Sequence, residues 1–154
     1  GGVYVWPDYF RDDWLNEYEE QHASDHRFVY IGPKDTFTPL HTDTLSSFSW
    51  TSNVIGTKKW WMLPPESTYA LYDENKVQIF DLRDVDADRY PNFATECEKN
   101  MIVFEQGEGE TVFVPSGWWH QVLNTRDAVS INHNWLNASN VHYSWQLLQR
   151  QRER

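Results

Sequence analysis

The run "AVSINHNW", residues 128 to 135, constrains the fold more than any other stretch. Side chains of a strand alternate between its two faces. One face then carries Ala128, Ser130, Asn132 and Asn134, and the other carries Val129, Ile131, His133 and Trp135. If the asparagine face points inward, the strand lines a polar cavity rather than a closed apolar core, and such a cavity favours a ligand site. The preceding run "WWHQVLN" repeats the pattern, with Trp118, His120, Val122 and Asn124 on one face.

Further short runs surround these two. "RFVYIG" (27–32) ends at Gly32-Pro33, and "KKWWMLPP" is stopped by Pro64-Pro65. "FTPLHTDT", "SFSWTSNVIG", "NMIVFEQ" and "ETVFVP" read as strands, with turn signals at Gly107, Pro115-Ser116-Gly117 and Thr125-Arg126-Asp127. Only two segments read as helices. In "RDDWLNEYEEQ" (11–21) Asp12 or Asp13 can cap, and Trp14, Leu15 and Tyr18 form an apolar stripe. From Ser139 onward, Val141, Trp145 and Leu148 share one helix face, predicting a C-terminal helix over 139–154. Many short strands and few helices predict a mainly β sandwich or barrel with flanking helices.

Residues 66–100 break the rhythm. They are acidic, turn-rich and weakly periodic, which predicts an exposed insertion. The chain has 154 residues, enough for one domain with a core. Its abrupt start and helical end predict a fragment of a longer protein. The single cysteine, Cys97, excludes an internal disulfide and a cysteine metal knuckle, in line with a reducing compartment. No apolar run reaches membrane-spanning length, so no membrane partner is expected. A net charge of -10 repels nucleic-acid phosphates and suits a basic, Lys- or Arg-rich partner. The nine tryptophans imply thick aromatic packing; Trp60, Trp118 and Trp119 are expected in the core or at its rim, and Trp50 and Tyr30 as walls of a substrate channel.

Within "FTPLHTDT", His41 and Asp43 fall on one strand face. Alone, the pair is either a metal clamp or a strand histidine bonded to a neighbour. His120, delivered by the tight "PSGWW" turn, is the best candidate for a third ligand from a distant strand. Two imidazoles and one carboxylate form the facial triad of non-haem Fe(II) oxygenases, a set that also accepts Zn, Mn or Ni.

"TPLHTD", "GTKKWWMLPP", "VFVPSGWWHQVLN" and "SINHNW", in this order, resemble the JmjC family of Fe(II)- and 2-oxoglutarate-dependent oxygenases from about Arg27 to Trp135. The resemblance implies a double-stranded β-helix (jelly roll, cupin-like barrel). It also implies Fe(II), 2-oxoglutarate and O2 as cofactor and co-substrates, with His41, Asp43 and His120 as metal ligands and catalytic centre. Lys58 matches the lysine that meets the far carboxylate of 2-oxoglutarate, and Thr38 a threonine that donates to it. Asn134 matches an asparagine near the other end of the co-substrate, and Asn124 is a neighbouring candidate. Where many relatives carry asparagine this chain has Thr51, with Asn53 on the same face as a substitute. "DWLNE", "RFVYIGP" and "SFSW" narrow the resemblance to a branch associated with lysyl hydroxylation of a translation termination factor. That implies a basic, lysine-bearing protein substrate and a cytoplasmic location, with the nucleus left open. Three rival readings stay beside it: a methyl-lysine demethylase, a cupin-type metalloenzyme of another reaction, and a partner-binding module without activity.

Overall fold

In the computed structural model, residues 4–22 and 26–152 are described. Two four-stranded antiparallel sheets face each other, and every strand follows a run that the sequence marks. The strands are β1 (Arg27–Gly32), β2 (Phe37–His41), β3 (Phe48–Ile55), β4 (Lys58–Leu63), β5 (Ile102–Gln106), β6 (Thr111–Val114), β7 (Trp119–Asn124) and β8 (Ala128–Trp135). One sheet has the order β1-β8-β3-β6 and the other β2-β7-β4-β5. Eight antiparallel strands in this interleaved order form a jelly roll, the expected double-stranded β-helix. The helices are α1 (Trp14–Glu20) and α2 (Val141–Arg152). None among the described residues is long and apolar enough to cross a membrane.

The inner faces follow the alternation of the sequence. Ser130, Asn132 and Asn134 of β8 are buried opposite the buried Ser49, Thr51 and Asn53 of β3. These polar groups satisfy one another: the Thr51 hydroxyl donates to Asn132 Oδ1 (2.6 Å), and Ser130 Oγ donates to Asn53 Oδ1 (3.2 Å). The other half of the interior is apolar, where Trp60, Met62, Val114 and Val122 pack with Trp118 and Phe104. The barrel is therefore closed by an apolar plug at one side and left polar at the other.

Gly56 fixes the β3–β4 turn. Its φ is +85°, and a Cβ there would stand 2.0 Å from the Asp127 carbonyl oxygen. Only glycine allows that approach, which draws the start of β4, and Lys58 with it, against β7.

Four expectations are corrected. Residues 66–100 are not a solvated excursion: Ala70, Leu71, Ile79, Leu82, Tyr90, Phe93 and Cys97 are buried, packed with Leu40, Trp61, Leu63 and Trp119 against the outer face of the second sheet. Glu66, Glu74, Asp84, Asp86, Asp88 and Glu98 stay exposed, and they mask an apolar set too irregularly spaced to read as a periodic face. The stripe of α1 does not hold, because Trp14 and Tyr18 are exposed while Leu15 and Asn16 are buried. Asp13 caps this helix through the Asn16 amide (3.1 Å), and Asn16 Nδ2 donates to the Asn134 carbonyl (2.9 Å), so a polar anchor sets the buried face. In α2 the stripe Val141, Trp145 and Leu148 faces solvent, whereas Ser144 is buried and its hydroxyl donates to the Leu45 carbonyl (2.5 Å). The end of the C-terminal helix expected at 153–154 lies outside the described residues. Trp50 walls no channel; it is buried on the outer face of its sheet, stacked between His133 and Phe10. Trp60 and Trp119 are buried as expected, and Trp118 is partly so.

Candidate metal centre

His41 ends β2 and stands directly across from His120 on β7. Directly opposed residues of an antiparallel pair share a face and lie close, so the two imidazoles meet at 4.1 Å between ring centroids. Asp43, two residues beyond His41, turns back towards them, its Oδ1 4.0 Å from His120 Nε2. One ligating atom from each of the three lies within 4.8 Å of the others, the one such cluster among the described residues.

Each side chain is held by a group that leaves its metal-facing atom free. His41 Nδ1 donates to the Pro39 carbonyl (2.9 Å) and His120 Nδ1 to the Trp118 carbonyl (3.2 Å). A carbonyl only accepts, so the hydrogen sits on Nδ1 and Nε2 remains for a metal. Asp43 Oδ2 accepts from the Ser49 hydroxyl (2.6 Å), which leaves Oδ1 on the side of His120. Burial, and then the neighbouring His41, hold the His120 imidazole well below its ordinary pKa, so it is a neutral donor. The donor set of two imidazole nitrogens and one carboxylate oxygen fits a divalent first-row metal with open positions.

The triad lies at one end of a cavity that opens to solvent and carries polar groups along its wall. Asn124 lies on the same face of β7 four residues beyond His120, roughly 13 Å along the strand at about 3.3 Å per residue. There Lys58 lines the cavity with its side chain buried, and its Nζ donates to Asn124 Oδ1 (3.0 Å). Asn124 Nδ2 in turn donates to Thr36 Oγ1 (3.0 Å). Burial lowers the Lys58 pKa, and among the described residues no carboxylate pairs with it. A buried ammonium with only an amide oxygen for company is costly, and an acid ligand would relieve that cost.

The expected residues divide by place. His41, Asp43, His120, Lys58, Thr38, Thr51 and Asn124 all line this cavity, as does Tyr30. Burial and then the Asp43 charge raise the Tyr30 hydroxyl pKa. Asn53 and Asn134 do not line it. Asn53 Nδ2 is spent on the Gly56 carbonyl (2.7 Å) at the β3–β4 turn. Asn134 stands behind Asn132, donating to Thr44 Oγ1 (3.3 Å) and accepting from Asn132 Nδ2 (3.1 Å). Thr36, Asn132 and the Asp43 partner Ser49 do not stand out in the sequence as site residues. Ser49 and Asn132 share inward faces with Thr51 and Asn134, so the period of two carries a signal for both; Thr36 precedes its strand and carries none.

A jelly roll with a polar inner wall, on which two histidines and an aspartate converge at one end, is a cupin-type architecture with a candidate metal site. The cupin-like domain family matches residues 9–140, and the chain belongs to that family, in its JmjC branch. It is 44% identical over 151 residues to the 2-oxoglutarate and iron-dependent oxygenase JMJD4 of Danio rerio, covering 96% of this chain. It is 42% identical over 164 residues to the arginine-specific demethylase JMJ20 of Arabidopsis thaliana, covering 95% of this chain. It is 30% identical over 154 residues to the bifunctional arginine demethylase and lysyl-hydroxylase psr-1 of Caenorhabditis briggsae, covering 92%. The chain spans 35% of the length of the first two relatives and 38% of the third.

Proposed function

We propose that this chain is the catalytic domain of an Fe(II)- and 2-oxoglutarate-dependent protein hydroxylase, and that the group it oxidises is a lysine side chain. One observation carries the reading: a free-facing His41, Asp43 and His120 cluster shares a cavity with a buried, carboxylate-less Lys58. A keto acid with a second carboxylate at its far end suits both features at once. His41 Nε2, Asp43 Oδ1 and His120 Nε2 would hold the iron. Lys58 and Thr38 would take the far carboxylate, Asn124 would orient the Lys58 ammonium, and Thr51 with Asn132 would form the polar wall.

Bound iron and 2-oxoglutarate together supply the activation of O2, with the co-substrate leaving as succinate and CO2 and one oxygen atom entering a substrate C–H bond. The chain's own part is placement. The Nδ1 tethers keep both imidazoles aimed, with Nε2 turned to the cluster. The Ser49 hydroxyl keeps the Asp43 carboxylate turned inward. The apolar plug of Trp60, Met62, Val114 and Val122 keeps water from the inner end. No general base is needed, since the substrate C–H hydrogen would be removed as an atom, electron included, rather than as a proton.

The protein substrate proposed is a basic, lysine-bearing segment, of the kind a translation termination factor offers in the cytoplasm. The net charge of -10 and the family branch support this. Arginine demethylation is the second reading, favoured by the names of the plant and nematode relatives. The test incubates the full-length protein with Fe(II), 2-oxoglutarate, O2 and basic protein substrates, followed by mass analysis. A gain of one oxygen on lysine is expected. Loss of a methyl group from methyl-arginine would transfer the reading to demethylation, and turnover without 2-oxoglutarate would end both.

A further inference from the structure

Two of the proposed ligands sit on strands that are gripped from outside the barrel by a single short arch, residues 78–82. β2 is an edge strand of its sheet, and its ladder to β7 slips between Thr38 and His41. Pro39, inside that slip, has no N–H to give. The place of the His41 ring nevertheless depends on this irregular stretch, because Nδ1 is tethered to the Pro39 carbonyl (2.9 Å). What holds the stretch is the arch. The Leu40 amide donates to the Phe80 carbonyl (3.1 Å), and Gln78 Nε2 donates to the Leu40 carbonyl (2.6 Å).

The same arch reaches β7 beside the other histidine. Gln121 is fully buried on the outer face; its Oε1 accepts from the Leu82 amide (2.8 Å) and its Nε2 donates to Asp81 Oδ1 (2.7 Å). Asp81 is braced by the Arg83 guanidinium (2.6 Å), which lies 4.4 Å over the ring of Phe37, a cavity wall residue. Gln78, Asp81 and Gln121 do not line the cavity, and their side-chain hydrogen bonds reach Leu40, Leu82, Arg83 and one another rather than the His41 or His120 rings. They fix the backbone on which His41 and His120 stand.

We propose that Gln78 and Gln121 are positioning residues for metal binding, and that the 78–82 arch is a clamp setting the separation of the two imidazoles. This rests on the reading of His41, Asp43 and His120 as the metal ligands. Outer supports of metal ligands act on affinity because they fix ligand orientation before the ion arrives, and losing one commonly weakens binding 10- to 100-fold.

The experiment measures Mn(II) binding to the full-length protein at equilibrium, from the free-ion paramagnetic signal, with no turnover involved. Gln78→Ala is the main variant, since its side chain is only half-buried. It should weaken Mn(II) about tenfold, with the Tm of the metal-free protein little changed. Gln78→Lys, which keeps an N–H donor at a similar reach, should restore most of the affinity. Gln121→Met, read the same way, tests the β7 grip. Mn(II) affinity in Gln78→Ala within twofold of the parent overturns the clamp while leaving the ligand reading standing. A failure of Gln78→Lys to restore binding overturns it too. A parent protein that takes up no Mn(II), or takes it up unchanged after His41→Ala, overturns the ligand reading and the clamp with it.

Discussion

Replacing Lys58 by methionine separates a structural lysine from a co-substrate anchor. Methionine keeps most of the buried stem and removes the ammonium. In the ligand-free protein that ammonium makes one hydrogen bond, to Asn124 Oδ1, and has no carboxylate partner among the described residues. Losing a hydrogen bond to a charged group costs roughly 1.5–3 kcal/mol, but the burial of an unpaired charge disappears with it. The two offset, so the folding free energy should move by no more than about 1 kcal/mol in either direction. Co-substrate affinity should not be spared. Lys58 is the one Lys or Arg lining the cavity among the described residues. Truncating one partner of a buried charge pair costs about 2–5 kcal/mol, or roughly 30- to 5,000-fold in Kd. Titration calorimetry of 2-oxoglutarate into the Mn(II)-loaded full-length protein reads the loss, and a thermal melt reads stability. A Kd within threefold of the parent, with Mn(II) still bound, would refute the anchor. A large fall in Tm would refute the offset.

The same geometry sets four further outcomes. Burial lowers the Lys58 pKa below 10.5, so the unfolded chain binds a proton that the folded one releases. Stability of the ligand-free protein should therefore rise with pH in the window below 10.5, and Lys58→Met should flatten that rise in denaturant titrations. The Asp81 carboxyl is held down to about 2, first by its hydrogen bond with Arg83; its contribution is full above 3.8 and is lost as pH falls towards 2, so Asp81→Asn should blunt acid unfolding in that window, read by tryptophan fluorescence. Leu71→Ala, in a fully buried position of the 66–100 segment, should destabilise by about 2–5 kcal/mol in urea, whereas a loss under about 0.5 kcal/mol would restore the view of a solvated insertion. Mn(II) at a hundredfold its Kd should stabilise the parent by about 2.7 kcal/mol, and both EDTA and Asp43→Ala should abolish the effect.

The strands and the inward placing of His41, Asp43 and His120 are legible in the sequence because alternation along a strand is a local rule. The period of two places Asn132 and His120 on inward faces, and the His41–Asp43 spacing puts both on one side. Contacts made by tertiary pairing leave no such trace. Asp43 lies past the end of β2 while its partner Ser49, six residues on, belongs to β3, and the Leu40 carbonyl finds Gln78 from a loop. Helix faces fail for a related reason: α1 and α2 dock through Asn16 and Ser144, whose hydrogen bonds outweigh the apolar stripes that an amphipathic reading follows. Asn53 and Thr51 share a face, yet only Thr51 reaches the cavity, because the Gly56 turn claims the Asn53 amide.

β1 is the outermost strand of its sheet, with Val29 and Ile31 exposed on one face and Phe28 and Tyr30 on the other. The Asn134 amide donates to the His26 carbonyl (2.9 Å), so bonded pairs fall on the even-numbered residues of β1 and the backbone groups of Val29 and Ile31 point away from β8. An apolar edge at which, among the described residues, the amides and carbonyls of Val29 and Ile31 meet no backbone partner is a template for any extended chain, including another copy of itself. Handled alone at high concentration, the domain would be drawn into edge-to-edge association along β1, and a lysine in place of Val29 would be the simplest gatekeeper against it.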